Sequence, residues 1–324
     1  MNSPLCQPIR FRPLYQDYFW GGNRLQKLLG KSPEADHKIA ESWEIVDLPD
    51  HQSQVRDGPW EGMTLNQLVT SHGSSLLGVD SPQESFPLIF KFLDCQHNLS
   101  IQVHPDDRLA ARLDPPGRGK TEAWVVLEAK PQSRIYAGLK PGVEPGAFET
   151  ALELGHVESV MHWLEPQVGD CLLVPAGTVH ALGAGLVVAE IQQASDTTYR
   201  LFDWNRIGSN GKPRELHLEA GLEAVDFQSG PRLPQDSTVG DTAPLENLVS
   251  CPSFVLDRIT TDSPVTIGGD DHCRILSVLA GEVEVGGAQP LVLGKGETCL
   301  LPAAAGRQRL TPGMPSIVLS ARQP

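Results

Sequence analysis

Short apolar runs recur along the chain, each about a strand in length and each closed by glycine, proline or a polar turn residue. Residues 86–93, 99–104, 123–127 and 185–191 are rich in β-branched and aromatic side chains and predict strands. Helical spacing of apolar positions is rarer, and predicts helices over 64–77, 105–113, 146–154 and 216–225. From 227 to 244 the sequence FQSGPRLPQDSTVGDTAP has almost no large apolar residue, which predicts a surface linker or a long exposed loop. Beyond it, residues 254–260, 274–279, 282–285, 289–293 and 298–301 predict a second series of short strands. The 31 glycines and 27 prolines are spread between these runs as punctuation, as expected of a mainly β protein.

A weak internal repeat ties the two series together. Gly169-Asp-Cys-Leu-Leu-Val-Pro175-Ala-Gly177-Thr-Val-His180 reads G-x5-P-x-G-x2-H, and the segment from Gly296 through Pro302 to Arg307 keeps only the glycine and proline. Glycine opens a strand from a tight turn, and the proline and second glycine bend the chain so that the histidine points inward. The pattern predicts two jelly-roll barrels with a few short helices. Residues 1–226 would form a metal-binding catalytic domain, 227–244 the linker, and 245–324 a degenerate barrel without metal. Ala304 and Arg307 stand there where the first copy has Gly177 and His180.

Charge narrows the possible partners. Lys plus Arg number 26 against 40 Asp plus Glu, a formal charge of −14 that repels a phosphate backbone, so nucleic acid is not expected. Residues 1–12 carry Pro4 and Pro8 and no apolar segment, and the uncharged stretch 181–189 falls far short of the roughly 18 residues a membrane helix needs. A cytoplasmic protein without membrane contact is expected, as a monomer or weak homo-oligomer. The six cysteines fall singly, with no CxxC pair, and read as buried free thiols rather than a disulfide framework.

One constellation carries chemistry. Gln102 and His104 are two apart on an expected strand and project to one face, with Ile101 and Val103 packing behind them. Adding Glu122 and His180 gives a carboxylate, two imidazoles and an amide oxygen, a mixed set suited to zinc or another borderline divalent ion. A single histidine on an apolar strand is more often a hydrogen-bonded core residue than a ligand. The combination with the complete G-x5-P-x-G-x2-H turn favours the metal. Asp106 and Asp107 directly follow, but suit the first turn of the helix entered at Pro105.

These residues also carry a resemblance. The G-x5-P-x-G-x2-H element is similar to the second motif of the cupin superfamily. Leu99-Ser-Ile-Gln-Val-His-Pro-Asp-Asp107, Gly119-Lys-Thr-Glu-Ala-Trp124 and Ala194-Ser-Asp-Thr-Thr-Tyr-Arg200 resemble type I mannose-6-phosphate isomerases in their short bacterial form. Trp20-Gly-Gly-Asn-Arg24, Glu41-Ser-Trp-Glu44 and Gly211-Lys-Pro-Arg-Glu-Leu-His217 extend the similarity from about residue 12 to residue 219. The resemblance implies one Zn2+ per chain on Gln102, His104, Glu122 and His180, the set that strand geometry suggests. It further implies active-site roles for Ser100, Lys120, Glu190 and Arg200, with Lys91 as a neighbour of the substrate.

The implied reaction is aldose–ketose isomerisation of mannose 6-phosphate and fructose 6-phosphate through an enediol(ate), with no redox cofactor. Glu190 is the first candidate for the base and Lys120 the second, with Arg200 sharing the developing charge. Lys91, Lys120 and Arg200, helped by the Ser100 hydroxyl, would make a positive pocket for the sugar phosphate; the plainer reading is that they are solvated charges. For Lys91, between Phe90 and Phe92, that plainer reading is weaker, because an unpaired buried ammonium is costly. Trp20 and Trp43 suit either a sugar face or the core. Longer relatives read Asn-His-Lys-Pro-Glu where this chain has Arg118-Gly-Lys-Thr-Glu122, so a proton-transfer role for that histidine does not carry over. The competing readings are an iron- or manganese-dependent bicupin oxygenase or decarboxylase, and a non-catalytic sugar-phosphate-binding cupin.

Overall fold

The computed structural model describes residues 5–32, 37–113, 115, 117–208, 211–236 and 244–324, and the backbone of 238–239. Among these residues the protein is mainly β, and its strands gather into four principal sheets. A six-stranded antiparallel sheet runs in the order Cys171–Val174, Glu122–Ala129, Leu186–Gln193, Leu88–Cys95, Glu41–Ile45, Leu14–Gln16. A five-stranded sheet follows the order Met161–Leu164, Ile135–Leu139, His180–Leu182, Ile101–Val103, Tyr199–Phe202. Their inner faces share one apolar core, in which Leu93, Trp124, Val126 and Leu172 meet Ile135, Ala137 and Leu182.

The strand Leu88–Cys95 is buried along its whole length, which explains its nearly unbroken apolar sequence. Leu88, Phe90 and Phe92 face away from the five-stranded sheet into the largest core cluster. Leu93 and Cys95 face the inner core, and the same alternation turns Lys91 inward. On the far side of the five-stranded sheet, Ile101 and Val103 pack with Tyr136, Val179 and Phe148, the last from the helix Pro145–Glu153.

The second strand series builds an eight-stranded sheet and a four-stranded sheet around Ile259, Leu276, Val278, Val283, Leu310 and Val318. The eight-stranded sheet takes in two strands from the start of the chain. Ile9–Arg12 pairs antiparallel with Thr298–Leu301 on one side and with Gln54–Val55 on the other. Its Leu248, Leu256, Ile275 and Leu319 pack in one cluster with Phe90 and Phe92 of the six-stranded sheet, so one apolar core joins the two strand series. The stretch expected as a linker is tied down over its described part: Arg232 N donates to Ala137 O at 3.1 Å and Gln235 N to Cys171 O at 2.7 Å. Residues 237 and 240–243 of that stretch lie outside the described residues.

The expected helices form with small changes of boundary. Leu65–Leu77 opens on Thr64, whose hydroxyl accepts from Gln67 N while the Gln67 side chain accepts from Thr64 N. The helix after His104 covers Asp107–Leu113 and starts two residues later than its apolar spacing suggests, because Asp106 acts as its cap and accepts from Leu109 N at 2.7 Å. The other two cover Pro145–Glu153 and Leu218–Ala224. One helix, Arg24–Leu29, was not expected; its six residues are too few to display a period, and Gly30 ends it at φ 65°. All six cysteines are free, four of them buried. No helix among the described residues is long and apolar enough to cross a membrane.

Candidate active site

Two rows of side chains face each other between the six- and five-stranded sheets. Trp43, Lys91, Glu190 and Trp124 lie directly opposite one another on four neighbouring strands of the first sheet. Alternation sends all four to the same face, and it adds Glu41 and Glu122, each two residues from a tryptophan of the row. In the five-stranded sheet His180, Gln102 and Arg200 form the opposing row on three neighbouring strands. Between the rows is a cavity of about 310 Å³, within the usual size of a small-molecule site.

The G-x5-P-x-G-x2-H turn brings His180 to the floor of this cavity. Gly177 takes φ 87°, and its N–H donates to His104 O at 2.8 Å, so the turn is bonded to the residue that carries the other imidazole. A Cβ at Gly177 would lie 3.0 Å from Asp226 Cβ. His104 itself sits one residue past the end of its strand, and Lys120 is held nearby by its backbone N–H on Pro105 O at 3.1 Å.

Three ligand atoms converge there. His104, Glu122 and His180 offer atoms that all lie within 4.8 Å of one another, and all three side chains are buried. His104 Nε2 is 3.3 Å from Glu122 Oε2, and His180 Nε2 is 3.3 Å from Glu122 Oε1. The opposite ring nitrogens bond to carbonyls, His104 Nδ1 to Thr197 O at 3.0 Å and His180 Nδ1 to Thr178 O at 2.8 Å. A carbonyl only accepts, so each Nδ1 carries the hydrogen and each Nε2 presents a lone pair. Burial, and then the Lys120 charge, pulls His104 down to about 3, and burial also lowers His180, so both rings are neutral. Burial would raise Glu122, but the Lys120 ammonium outweighs it and holds the carboxylate well below its ordinary range.

Two lone pairs aimed at a carboxylate call for a cation. Lys120 Nζ partly meets that demand, 2.6 Å from Glu122 Oε2 and 3.1 Å from His104 Nε2. The nitrogen and carboxylate donors also fit a borderline divalent ion. Gln102 stands beside them, with its amide nitrogen 3.3 Å from His180 Nε2 and its Oε1 accepting from Ser100 Oγ at 3.2 Å. Ligation through Oε1 requires the amide to turn over.

A second charged cluster occupies the opposite wall. Lys91 Nζ lies 3.2 Å from Glu190 Oε1 and 3.3 Å from Glu41 Oε2, and 5.4 Å from the centre of the Trp43 ring. Burial alone would push the ammonium toward neutrality, but Glu190 and Glu41 overcome it and hold Lys91 above its ordinary range. Trp43 Nε1 donates to Glu41 Oε2 at 2.5 Å, and Trp124 Nε1 to Glu190 Oε2 at 3.0 Å. Burial raises the Glu190 carboxyl against the opposing pull of Lys91. Its Oε1 is buried and faces the two ammoniums, Lys91 Nζ at 3.2 Å and Lys120 Nζ at 3.8 Å.

Ser100, Gln102, Lys91, Lys120, Glu122, His180, Glu190 and Arg200 all line the cavity, and His104 lies immediately behind Lys120. Trp20 and Trp43 are buried and also line it, so each serves core and cavity together. Asp106 and Asp107 turn away; Asp107 Oδ1 accepts from Gly119 N at 2.8 Å. Glu41, Arg214, Tyr18 and Asp196 line the cavity without having been singled out from the sequence. Glu41 and Arg214 fall inside Glu41-Ser-Trp-Glu44 and Gly211-Lys-Pro-Arg-Glu-Leu-His217, segments whose similarity was visible but whose individual roles were not.

Comparison with known proteins agrees with the geometry. Residues 9–131 match the family described as phosphomannose isomerase type I, catalytic domain. Mannose-6-phosphate isomerase ManA of Bacillus subtilis is 31% identical over 94% of this chain and 96% of its own length. Mannose-6-phosphate isomerase of Streptococcus mutans is 32% identical over 92% of this chain and 93% of its own. The crystal structure of the mannose 6-phosphate isomerase from Bacillus subtilis superimposes with a TM-score of 0.89 at 29% identity, covering 97% of this chain and 99% of that one. Similarity that spans nearly the whole of both chains, over a fold whose buried His104, Glu122 and His180 converge at a polar cavity, places this chain in the type I phosphomannose isomerase family.

Proposed function

We propose that the chain interconverts D-mannose 6-phosphate and D-fructose 6-phosphate by metal-assisted proton transfer between C1 and C2 through an enediol(ate). The observation that carries this reading is the pairing, in one cavity, of the His104–Glu122–His180 donor set with a desolvated carboxylate, Glu190, held between the Lys91 and Lys120 ammoniums. His104, His180 and Glu122 would hold one Zn2+, with Gln102 as the fourth donor once its amide turns. The bound ion supplies Lewis acidity toward the sugar's carbonyl or hydroxyl oxygen.

The chain's own residues then divide the work. Glu190 takes the proton from one carbon and returns it to the other; burial raises its pKa toward the range a general base needs, and Lys91 keeps it from being protonated at rest. Trp124 fixes the carboxylate by bonding Oε2, which leaves Oε1 as the reactive oxygen. Lys120, 3.8 Å from Glu190 Oε1, stands between the donor set and the base and can donate to a sugar oxygen. Trp20 and Trp43 offer aromatic faces to the sugar and keep water from the reacting carbons.

The same reading assigns residues 1–226 to a metal-binding jelly roll and 245–324 to a second, metal-free one, with Ile9–Arg12 extending the sheet of the latter. A coupled assay of fructose 6-phosphate formation tests the function on protein as purified, chelator-stripped and zinc-restored. Activity lost and regained with zinc is expected. In Glu190→Gln, kcat should fall at least about 100-fold, the scale of positioned acid–base catalysis, with bound zinc unchanged. Near-normal turnover in that variant would remove Glu190 from the base role.

A further inference from the structure

The two imidazoles of the donor set are oriented alike but held differently. Each donates from Nδ1 to a main-chain carbonyl, His180 to Thr178 O and His104 to Thr197 O. Thr178 lies two residues from the ring it orients, and its own N–H donates to Pro175 O at 3.1 Å, so that carbonyl belongs to the same tight turn as the histidine. Thr197 is 93 residues away from His104 in sequence. It lies in the segment 194–198, which joins the strands Leu186–Gln193 and Tyr199–Phe202 and, among the described residues, pairs with no strand. The direction of its carbonyl is therefore set by side-chain bonds rather than by a sheet ladder.

Ser195 supplies those bonds. Its buried hydroxyl accepts from Thr197 N at 3.2 Å and donates to Arg118 O at 2.8 Å. One group thus binds the residue that orients His104 to the stretch of chain that enters Lys120 and Glu122. Both ends of this link are braced. Ser195 O accepts from the buried Gln192 Nε2 at 2.6 Å, and Ala194 N donates to Pro87 O at 2.8 Å. Beyond Arg118, Gly119 N donates to Asp107 Oδ1 at 2.8 Å and Lys120 N to Pro105 O at 3.1 Å. On the far side of Thr197 the chain is fixed again where Tyr199 pairs with Val103, the residue before His104. Thr197 is thus held at its N–H by Ser195 and, two residues on, by the strand. A hydroxyl whose hydrogen and one lone pair are both engaged cannot change rotamer without breaking two bonds.

We propose that Ser195 is a positioning residue for His104: through Thr197 it sets the carbonyl that keeps the ring hydrogen on Nδ1 and the Nε2 lone pair turned toward Glu122 and the donor set. Its contribution to metal affinity rests on the metal reading of that set, but the orientation of the ring can be tested without the ion.

The test compares the full chain with S195A and S195T. In chelator-stripped protein, nitrogen–proton correlation spectra of the imidazoles, assigned by the signals missing from H104Q and H180Q, report which nitrogen of each ring carries the hydrogen. S195A should show His104 exchanging between its two tautomers, while His180, held within its own turn, keeps its hydrogen on Nδ1. Zinc affinity, read by competition with a chromophoric chelator, should fall about 10-fold, the lower end of what losing a ligand's supporting bond costs. S195T keeps the hydroxyl and should retain both the tautomer and the affinity. An unchanged His104 tautomer in S195A would overturn the proposal. So would an equal disturbance of His104 and His180, since the effect would then be a general loosening of the fold. If S195A releases His104 alone but the unmodified chain takes up no zinc, the positioning role stands and the metal reading falls.

Discussion

Replacing Lys91 with methionine is the most direct way to ask whether the charges on the cavity wall are as interdependent as their positions imply. The side chains of Lys91, Glu41 and Glu190 are 8%, 9% and 3% exposed, and the ammonium sits 3.3 and 3.2 Å from its two carboxylates. At the effective dielectric of about 20 that suits such sites, each contact is worth about 5 kcal/mol of Coulomb energy before desolvation is counted. Desolvation cancels much of this, and the expected net cost of stranding the partners of a buried ion pair is about 3–5 kcal/mol. Methionine keeps most of the aliphatic volume beside Trp43, so a cavity adds little to the cost.

The pH dependence makes the prediction specific. Without the ammonium, two buried carboxylates share one wall, and one of them binds a proton in the folded state at a pH where the unfolded chain binds none. A folded-state pKa raised above the unfolded value gives stability that is lost as pH rises, so the variant should weaken by up to about 1.4 kcal/mol per pH unit between about pH 5 and pH 8 relative to the unmodified chain. Urea unfolding followed by tryptophan fluorescence at several pH values reads this directly. Adding Glu41→Gln should return about half of the loss, because the cycle removes one stranded carboxylate. A penalty below about 1 kcal/mol at pH 8, or one that does not change with pH, would refute the ion-pair reasoning.

Two further outcomes follow from other parts of the structure. A Cβ at Gly119 would lie 2.5 Å from Asp107 N and 2.8 Å from Asp106 C, backbone atoms that cannot swing aside, so Gly119→Ala should cost about 1–3 kcal/mol in denaturant unfolding and lower turnover by displacing the adjacent Lys120; an alanine variant of normal stability would show that the loop yields. Burial would raise Asp203, but hydrogen bonds from Arg214 and Arg206 prevail and hold its carboxyl below the usual range; its contribution is therefore present at neutral pH and fades as pH falls below about 4, and the stability gap between the unmodified chain and Asp203→Asn should stay constant down to about pH 5 and narrow below about pH 4, whereas a constant gap throughout would contradict it.

What the sequence discloses about this protein is what lies within a few residues along the chain. The run of β-formers over 86–93 marks a strand and makes Lys91 conspicuous, and the spacing of Gln102 and His104, with the turn before His180, is enough to suggest a metal centre. What it withholds depends on pairing over long separations. Glu41 looks like any acidic residue until the strand Glu41–Ile45 pairs with Leu88–Cys95, which sets Trp43 opposite Lys91 and brings Glu41 to its ammonium. Arg214 lies in a polar segment with no periodicity, and only the fold brings it against Asp203 and Phe19. Nothing local predicts that Ile9–Arg12 pairs with Thr298–Leu301, because both are ordinary short strands and the partner is chosen by the packed core.

Charge balance explains why a cavity that reads as basic in sequence needs more than its lysines. Lys91 and Lys120 face Glu41, Glu122 and Glu190; Asp196, Arg200 and Arg214 complete the charged lining, and His104 and His180 are neutral, so the carboxylates and cations of the lining cancel. Such a lining has no excess positive charge to meet the negative charge that builds on an enediolate. On the proposed reading, a divalent cation held by His104, Glu122 and His180 would supply that positive charge where it is needed. Glu190 can remain a base beside it because its own ammonium partner, Lys91, lies on the wall in the same cross-strand row.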